Sequence, residues 1–316
     1  MKSLRPSISY GMKYITLFLA FLVATPVFSE DLKNRKRVAN FLQDVSVTIK
    51  SEGKWSKSEG SGVLIVREIE GEEVTFVWTA GHVVDNLRSV RDVIDENGRP
   101  RKVVEFQDAQ IVKELVAEGR RVGEIKMDAM VIKYSNADDG HDLALLMVRA
   151  KDYSKESARF YLNKDDAIIP IGTSLFHVGS LLGQMGANSM TTGIVSQVGR
   201  IHGKREYDQT TVTAFPGSSG GGVFLTDGRY VGMLVRGAGE GFNLTVPIRR
   251  MKRWALENDV LWAIDPNIES PSLKNLQKIA IEDSGIKSGH SEGGEATEVT
   301  RYPFLIKTEH KLDIYK

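Results

Sequence analysis

The chain contains no cysteine, so it can form no disulfide and offers no thiol for lipid attachment. Its net charge is only +1, which gives no case for nucleic-acid binding, because proteins that bind nucleic acids usually carry a basic excess. No apolar run reaches the length of about 20 residues that a transmembrane helix needs. What remains is an ordinary globular composition over 316 residues, enough for one or two domains.

The N-terminus has the pattern of a secretory signal peptide. Lys2, Arg5 and Lys13 precede a short apolar run at 15–24, and small residues up to Ser29 follow it. This pattern predicts a signal peptide over residues 1–29, cleaved after Ser29. An uncleaved anchor is the alternative, and it would be the only attachment of the chain to a membrane. Export without cysteine suits a periplasmic or secreted bacterial protein.

A glycine-rich loop around Ser219 is the most informative stretch of the sequence. It reads Phe215-Pro216-Gly217-Ser218-Ser219-Gly220-Gly221-Gly222. Glycine permits backbone conformations closed to other residues, so such a loop can present a serine hydroxyl and aim backbone N–H groups at one point. The same pattern is also typical of the nucleophile turn of α/β-hydrolases and of ordinary loops. The loop therefore needs support from other residues.

A serine nucleophile needs a base, and the base needs a group that orients it. His82 follows the apolar, strand-like run 76–80, and Asp142 opens the apolar run 143–148. A carboxylate at such a strand edge can be half-buried, where it can hold an imidazole. Taken singly, His82 also fits a core histidine and Asp142 a turn residue. Asp138 and Asp139 are nearby alternatives in the polar turn.

The order of these residues separates two enzyme classes. His82, Asp142 and Ser219 follow the order His…Asp…Ser of one known triad, whereas an α/β-hydrolase requires serine first and histidine last. After Ser219 only His290 and His310 remain, both in a polar tail. Residues 221–235 predict a strand, an Asp-Gly turn and a second strand, where a hydrolase needs a helix. An esterase of that fold is disfavoured.

The motifs resemble those of the chymotrypsin-like serine proteases, most closely the bacterial HtrA/Deg-type branch. Residues 79–84 look like the family's histidine motif, 142–146 like its aspartate motif and 216–221 like its serine motif. Lesser similarities at 61–63, 178–179, 192–196 and 242–248 extend the resemblance over residues 40–260. With the short β-branched runs between turns, the resemblance implies an all-β fold. The expected architecture is two six-stranded antiparallel β-barrels with a C-terminal helix.

The resemblance also implies roles by position. Ser219 would be the nucleophile, His82 the general base and then general acid, and Asp142 the group that orients the ring. The backbone N–H groups of Gly217 and Ser219 would form the oxyanion hole. The implied reaction is hydrolysis of peptide bonds in polypeptide substrates through an acyl-enzyme, with no metal or cofactor. A binding or chaperone-like protein of the same fold, with little catalysis, is the alternative function.

The substrate pocket departs from that of trypsin-like enzymes. By alignment Thr213 stands where those enzymes place an aspartate that binds basic side chains. The other expected pocket walls, Leu234-Val235-Arg236 and Phe242-Asn243-Leu244, are mostly apolar. We expect a preference for small or medium apolar residues before the scissile bond. Arg236 admitting acidic residues is the alternative, because arginine pairs well with carboxylates.

The domain boundaries follow from these assignments. We expect a signal peptide at 1–29, an N-terminal extension at 30–39, a first barrel at 40–150, a second barrel with its helix at 151–265, and a flexible polar tail at 266–316. Ile248, Met251, Trp254 and Ala255 have the helical spacing for the C-terminal helix. The tail is too short for a PDZ domain. The sequence sets no oligomeric state.

The segment between the histidine and aspartate motifs is long and charged. Residues 108–121 fit an extended hairpin that turns near Gly119. Helical periodicity fits the same residues almost as well.

Overall fold

Strands make up most of the structure, a computed structural model that describes residues 33–94, 98–117, 120–162, 168–237, 241–283, 298–299 and 311–314. The predicted signal peptide lies outside the described residues. The chain divides into two units, residues 1–41 and 42–316. The first unit is described from residue 33 onward, where it is helical, and this helix (α1, residues 33–44) ends in the second unit. Of the helices in the described ranges, none has the length and apolarity to cross a membrane.

The first half of the second unit closes into a barrel. Its strands are β1 (Ser46–Glu52), β2 (Lys57–Ile69), β3 (Glu72–Thr79), β4 (Arg88–Ile94), β5 (Pro100–Phe106), β6 (Ala109–Ala117), β7 (Arg120–Ser135) and β8 (Leu143–Lys151). Six of them pair in the order β7-β6-β1-β2-β3-β8, all antiparallel, and β8 pairs again with β7. The pairing of β6 with β7 confirms the predicted hairpin. Strands β4 and β5 form a separate hairpin outside the ring.

A second closed sheet follows. Its strands are β9 (Arg159–Phe160), β10 (Ser174–Leu181), β11 (Gly186–His202), β12 (Arg205–Thr210), β13 (Gly222–Leu225), β14 (Arg229–Gly237) and β15 (Asn243–Pro247). The order β13-β10-β11-β12-β15-β14 closes through antiparallel pairing of β14 with β13, and β9 adds to β14 in parallel. The prediction of two six-stranded antiparallel barrels is confirmed. So is the Asp-Gly turn between two strands, where Gly228 N donates to Leu225 O (2.9 Å).

Branched aliphatic side chains account for both closures. In the second barrel the core cluster comprises Ile169, Leu175, Val195, Val212, Val223, Val231 and Leu234. Such residues favour pleated, half-buried surfaces, and their alternation along each strand fixes which face turns inward. In β8, eight successive residues from Leu143 to Ala150 are buried, and all of them except Arg149 are apolar. This strand sits between β3 and β7 and is covered on both faces.

The predicted C-terminal helix is α3 (Ile248–Glu257). Its apolar stripe of Ile248, Met251, Trp254 and Ala255 is buried, as expected. Trp254 meets Trp78 of β3 edge-on, with 6.0 Å between ring centroids, so α3 packs against the first barrel as well as the second. The helix therefore links the two barrels, and aromatic contacts of this kind add about 1 kcal/mol beyond area burial.

The first part of the predicted flexible tail is packed against the first barrel. A short helix, α4 (Leu273–Leu276), is capped by the Ser272 side chain. Beyond it, Tyr134 N donates to Ile281 O (2.7 Å) and Asp283 N donates to Tyr134 O (3.2 Å). The sequence predicts a flexible tail from residue 266, but the described residues up to 283 are packed. Backbone hydrogen bonds to β7 hold this segment although its composition is polar. Strands β16 (Glu298–Val299) and β17 (Lys311–Ile314) pair with β5 and β7.

Candidate active site

His82 lies in a single helical turn directly after β3. That turn, α2 (Gly81–Val84), begins where the apolar strand reaches Ala80. A side chain at position 81 would come within 2.2 Å of Ser135 O, so only glycine allows the chain to pass β7 this closely. The His82 side chain is 37% exposed, whereas its neighbours Val83 and Val84 are buried. The fold thus presents the imidazole at the surface of a rigid edge.

Asp142 lies beneath His82 and holds it by three contacts. His82 Nδ1 is 3.0 Å from Asp142 Oδ1 and 3.1 Å from Oδ2, and His82 N donates to Oδ1 (3.0 Å). The Asp142 side chain is only 1% exposed. A buried acceptor on this side requires the proton on Nδ1, which leaves Nε2 free to accept one.

The local turn explains how Asp142 reaches this place. Its φ of 55° is left-handed, a conformation that aspartate tolerates better than most residues. Asp142 N donates to Asn136 O (3.1 Å), and the Asn136 side chain accepts from Asp138 N (2.6 Å). Asp138 and Asp139, the alternatives in sequence, are exposed in this turn. The turn therefore selects Asp142 as the carboxylate under the imidazole.

The charge state of Asp142 follows from its surroundings. Burial alone would raise its pKa, but the hydrogen bonds from the His82 ring and backbone, together with the His82 and Arg236 charges, outweigh burial and lower the pKa below its usual value. The carboxylate is therefore ionised at neutral pH. An ionised, buried carboxylate can stabilise a proton taken up by the adjoining imidazole.

The loop that carries Ser219 begins with a tight turn. Ser218 N donates to Phe215 O (2.9 Å) across Pro216-Gly217, and Gly217 has a φ of 95°. Proline at the second position and glycine at the third are the residues of a type II turn. Gly220, with a φ of 86°, needs the same freedom one residue after Ser219. Both glycines thus allow the half-buried Ser219 to stand between two sharp bends.

This loop docks on β2 and on the end of β3, the strand that leads to His82. Ser61 N donates to Ser219 O (2.7 Å), and Thr79 Oγ1 donates to Ser61 O (2.7 Å). A side chain on Gly220 would come within 2.3 Å of Thr79 Oγ1 and 3.0 Å of Ala80 N, only two residues before His82. Within the described ranges no hydrogen bond joins the Ser219 hydroxyl to the His82 ring. Catalytic hydrogen bonds often tighten only when substrate binds.

Two backbone donors of this loop have no acceptor among the described residues. The N–H groups of Ser218, Gly220 and Gly221 bond to carbonyls within or beside the loop, whereas those of Gly217 and Ser219 are unpaired there. Leu182 N donates to Pro216 O (2.7 Å). Because the C=O and N–H of a trans peptide point in opposite directions, this bond directs the Gly217 N–H away from Leu182. Two free N–H groups in one turn can stabilise an anion.

Ser61 fixes the next peptide unit, the one between Gly217 and Ser218. Its hydroxyl donates to Gly217 O (2.7 Å) and accepts from Ser180 N (2.7 Å). Only the lesser similarity at 61–63 drew attention to Ser61 in the sequence, and it suggested no role. The contact partners are distant along the chain, so no local pattern could reveal them.

The segment that holds Pro216 is itself held by an acidic side chain. Leu182 and Gly183 are both left-handed, with φ values of 62° and 68°. Glu59 Oε2 accepts from Gln184 N (2.8 Å), directly after these two residues. Nothing in the local sequence of Glu59, Leu182 or Gln184 marks them as partners of the serine loop, so the sequence does not predict their roles.

The five predicted pocket residues lie near the loop but in unlike environments. Leu234, Val235 and Asn243 are buried, and Thr213 is exposed. Asn243 Nδ2 donates to Val212 O (2.7 Å), which ties β15 to the segment before the serine loop. Only Arg236 lines a cavity of about 440 Å³ at the end of β14. The pocket assignments stay predictions.

Comparisons with known proteins agree on the family. Residues 60–233, more than half of the chain, match the trypsin-like peptidase domain. A serine protease Do-like HtrA from Lactococcus lactis subsp. cremoris is 30% identical over 192 residues, which cover 58% of this chain and 38% of that protein. The chain thus spans well under half the length of this relative.

Solved structures share the fold. A serine endoprotease from Yersinia pestis superposes with a TM-score of 0.51 at 17% identity, covering 72% of this chain and 66% of the other. Deg5 superposes with a TM-score of 0.52 at 19% identity, covering 75% of this chain and 98% of the other. At identities this low, the superpositions show a shared fold and nothing about function.

Proposed function

The chain belongs to the family of trypsin-like peptidases, and from that premise we propose that it is an exported serine endopeptidase acting through His82, Asp142 and Ser219. The observation that carries the proposal is the His82 imidazole bonded through Nδ1 (3.0 Å) to a carboxylate that is 1% exposed. A core histidine would be buried, and a turn aspartate would be exposed. Here the His82 side chain is 37% exposed, and the Asp142 side chain is buried.

In the proposed reaction His82 Nε2 takes the proton of the Ser219 hydroxyl as Oγ attacks the substrate carbonyl carbon. The oxygen of the tetrahedral intermediate accepts hydrogen bonds from the free N–H groups of Gly217 and Ser219. His82 then gives its proton to the leaving amine as the C–N bond breaks, which leaves an acyl-enzyme. Water, deprotonated by the same imidazole, then attacks the acyl carbon. The bond to Ser219 Oγ breaks, Oγ takes the proton back from His82, and the acid is released.

The oxyanion hole accounts for much of the expected rate. Loss of one donor in a hole of this type costs about 3–4 kcal/mol of barrier. The bonds from Leu182 to Pro216 O and from Ser61 to Gly217 O hold both peptide units that flank Gly217. A hole held in this way needs little rearrangement when the charge develops.

Export and substrate preference are further parts of the proposal. The pattern of residues 1–29 supports export to the periplasm or medium. Thr213 in place of an acidic residue, with buried Leu234 and Val235 beside the loop, supports a small or medium apolar residue directly before the scissile bond.

Cleavage of an unfolded protein by the purified chain tests the proposal. We expect the wild type to cleave it, Ser219→Ala to lose at least about 10⁴-fold in rate, and Ser89→Ala, an exposed hydroxyl on β4, to match the wild type. Substrate that is bound equally by wild type and Ser219→Ala but cleaved by neither would favour the binding-protein alternative. Equal cleavage by both would remove Ser219 from the mechanism.

A further inference from the structure

The cavity at the end of β14 is basic on one side and apolar on the other. Its volume is about 440 Å³. Arg200, His202 and Arg236 supply the polar side, and Ile201, Phe242 and Leu244 supply the apolar side. None of its described lining residues is acidic, and Glu240, in the adjoining connection, lies outside the described residues. A site of this composition favours an anionic group on a short apolar stem.

The guanidinium of Arg236 has unused donors. Within the described residues it makes one hydrogen bond, from Nη2 to Ala137 O (3.2 Å). Its Nε is buried with no acceptor there. Leaving a buried donor without an acceptor is costly, more so when the group is charged, so an incoming carboxylate would offset a cost already present in the free protein.

Arg200 is anchored from the opposite wall. Its Nε donates to Gln209 Oε1, and its guanidinium lies over the Phe242 ring, 5.5 Å from the centroid. These contacts hold the charged plane in place and leave its two terminal nitrogens for another partner. A planar guanidinium held in this way matches a carboxylate better than a mobile lysine would.

The cavity lies along the strand that leads away from Ser219. Gly220 N donates to Leu234 O (2.8 Å) and Leu234 N to Gly221 O (2.9 Å), which places Leu234 beside the serine loop. Arg236 is two residues further, about 7 Å along the strand. There β14 pairs with β15 on one side, whereas its pairing with β13 ends at Met233. Among the described residues, no strand pairs with the other edge of β14 beyond Leu234.

An extended peptide can add to such an open edge. Both ring neighbours of β14 run antiparallel to it. A peptide added in the same sense, with its scissile carbonyl at Ser219, would place the residues that precede the scissile bond beside Arg236.

We propose that this cavity is a subsite for an aspartate or glutamate side chain of the polypeptide substrate, upstream of the apolar residue at the scissile bond. The inference rests on the proposed peptidase function. Arg236 and Arg200 would bind the carboxylate, and Phe242 and Leu244 would contact its methylene groups. The protease would then select segments in which an acidic residue precedes an apolar one.

Paired peptides test this directly. They carry valine before the cleaved bond and either Glu or Gln two, three or four positions upstream. At low salt we expect kcat/KM at the best position to favour Glu by about tenfold, equivalent to about 1.4 kcal/mol. The preference should shrink at high salt, because exposed charges are screened. Equal rates for Glu and Gln at every position would overturn the proposal and leave the peptidase function intact.

Substitutions of the two arginines test whether the preference for the Glu peptide arises in this cavity. Arg200→Gln and Arg236→Gln should each reduce it several-fold, and Arg200→Glu should turn it toward a Lys peptide. Arg229→Gln is the matched control, because Arg229 lies on the same strand, paired with Asp227 (2.7 Å) outside the cavity. A preference for Glu that survives Arg200→Glu would overturn the assignment even if the Arg236 variant fails to fold.

Binding separates this proposal from the function on which it rests. Ser219→Ala should bind the fluorescent Glu peptide more tightly than the Gln peptide in anisotropy titrations, whether or not the wild type cleaves either. Cleavage of neither peptide by the wild type, with this binding preference intact, would count against the peptidase function alone. Equal binding of both peptides would count against the subsite.

Discussion

The two edges that meet at the proposed active site are held by different kinds of interaction. On the first barrel His82 is fixed by a buried carboxylate, so its position depends on charge. On the second barrel Ser219 stands in a loop fixed by backbone hydrogen bonds and by two glycines with positive φ. The difference predicts that changes in the first edge alter the protonation chemistry, whereas changes in the second alter the geometry of the oxyanion hole.

Asp142→Asn is the largest expected disruption of the first edge. An amide has no negative charge to stabilise the imidazolium and can favour the wrong histidine tautomer. In the known Ser-His-Asp enzyme that defines this mechanism the same change lowers kcat by about 10⁴. We expect a similar loss in kcat with a folded protein, measured by peptide cleavage and circular dichroism.

Asp227→Asn is the matched control, because this exposed carboxylate pairs with Arg229 at the start of β14, away from Ser219 and His82. It should keep the activity of the wild type. A loss of less than about tenfold in Asp142→Asn would remove the charge-based account of the first edge.

Ser61→Ala is the corresponding test of the second edge. It removes the bond to Gly217 O and the acceptor for Ser180 N while leaving every charge in place. Two lost hydrogen bonds of about 1 kcal/mol each predict a fall in kcat of roughly 10–50-fold with little change in KM and an unaltered pH profile. Ser61→Thr, which keeps the hydroxyl, should recover much of the rate.

A purely structural role for Ser61 would give another result. Ser46→Ala removes an equally buried hydroxyl, bonded to Leu42 O (2.7 Å) away from the loop, and should lower stability without lowering kcat. If Ser61→Ala behaves in the same way, the hydroxyl does not position the hole.

Glu59→Ala should have a smaller effect on the same edge. The carboxylate acts one step further away, through Gln184 N and the left-handed residues 182–183. Because its side chain is 40% exposed, water can replace part of the bond, and we expect a loss in kcat of about threefold. Glu59→Gln keeps an acceptor oxygen and should retain the wild-type rate; a kcat lost equally in both variants would point to charge instead.

Substitution of His177 should have the smallest effect on catalysis and a clear effect on the free energy of unfolding. Its Nδ1 lies 3.0 Å from Gly222 O, and burial lowers its pKa to about 4. As the pH falls, the His177 imidazole is protonated near pH 6.5 in the unfolded chain but only near pH 4 in the folded protein. The stability that depends on neutral His177 is therefore fully present above pH 6.5 and is lost as the pH falls from 6.5 to about 4. The loss is on the order of 3 kcal/mol.

Urea unfolding at pH 7 and pH 4.5 measures this effect. His177→Gln should lower stability at pH 7, yet lose less on acidification than the wild type does. An unchanged pH dependence in the variant would show that other groups control acid unfolding, His141 among them, because burial also lowers the pKa of His141 to about 4.

Local signals in the sequence were sufficient for much of this structure. The turns at Pro216-Gly217 and Asp227-Gly228, the stripe of α3 and the strand that precedes His82 all follow from neighbouring residues. The packing of residues 279–283 on Tyr134 does not, because it depends on backbone groups far away in the chain. The same reason hides Ser61 and Glu59, whose partners lie more than a hundred residues away.

Labelling by a fluorophosphonate, followed by mass mapping of the adduct, tests the central claim that the two edges together make Ser219 a nucleophile. We predict one adduct per chain, on Ser219, absent in Ser219→Ala and strongly slowed in His82→Ala and Asp142→Asn. An adduct on another residue, or labelling of folded Ser219→Ala at the wild-type rate, would contradict the account.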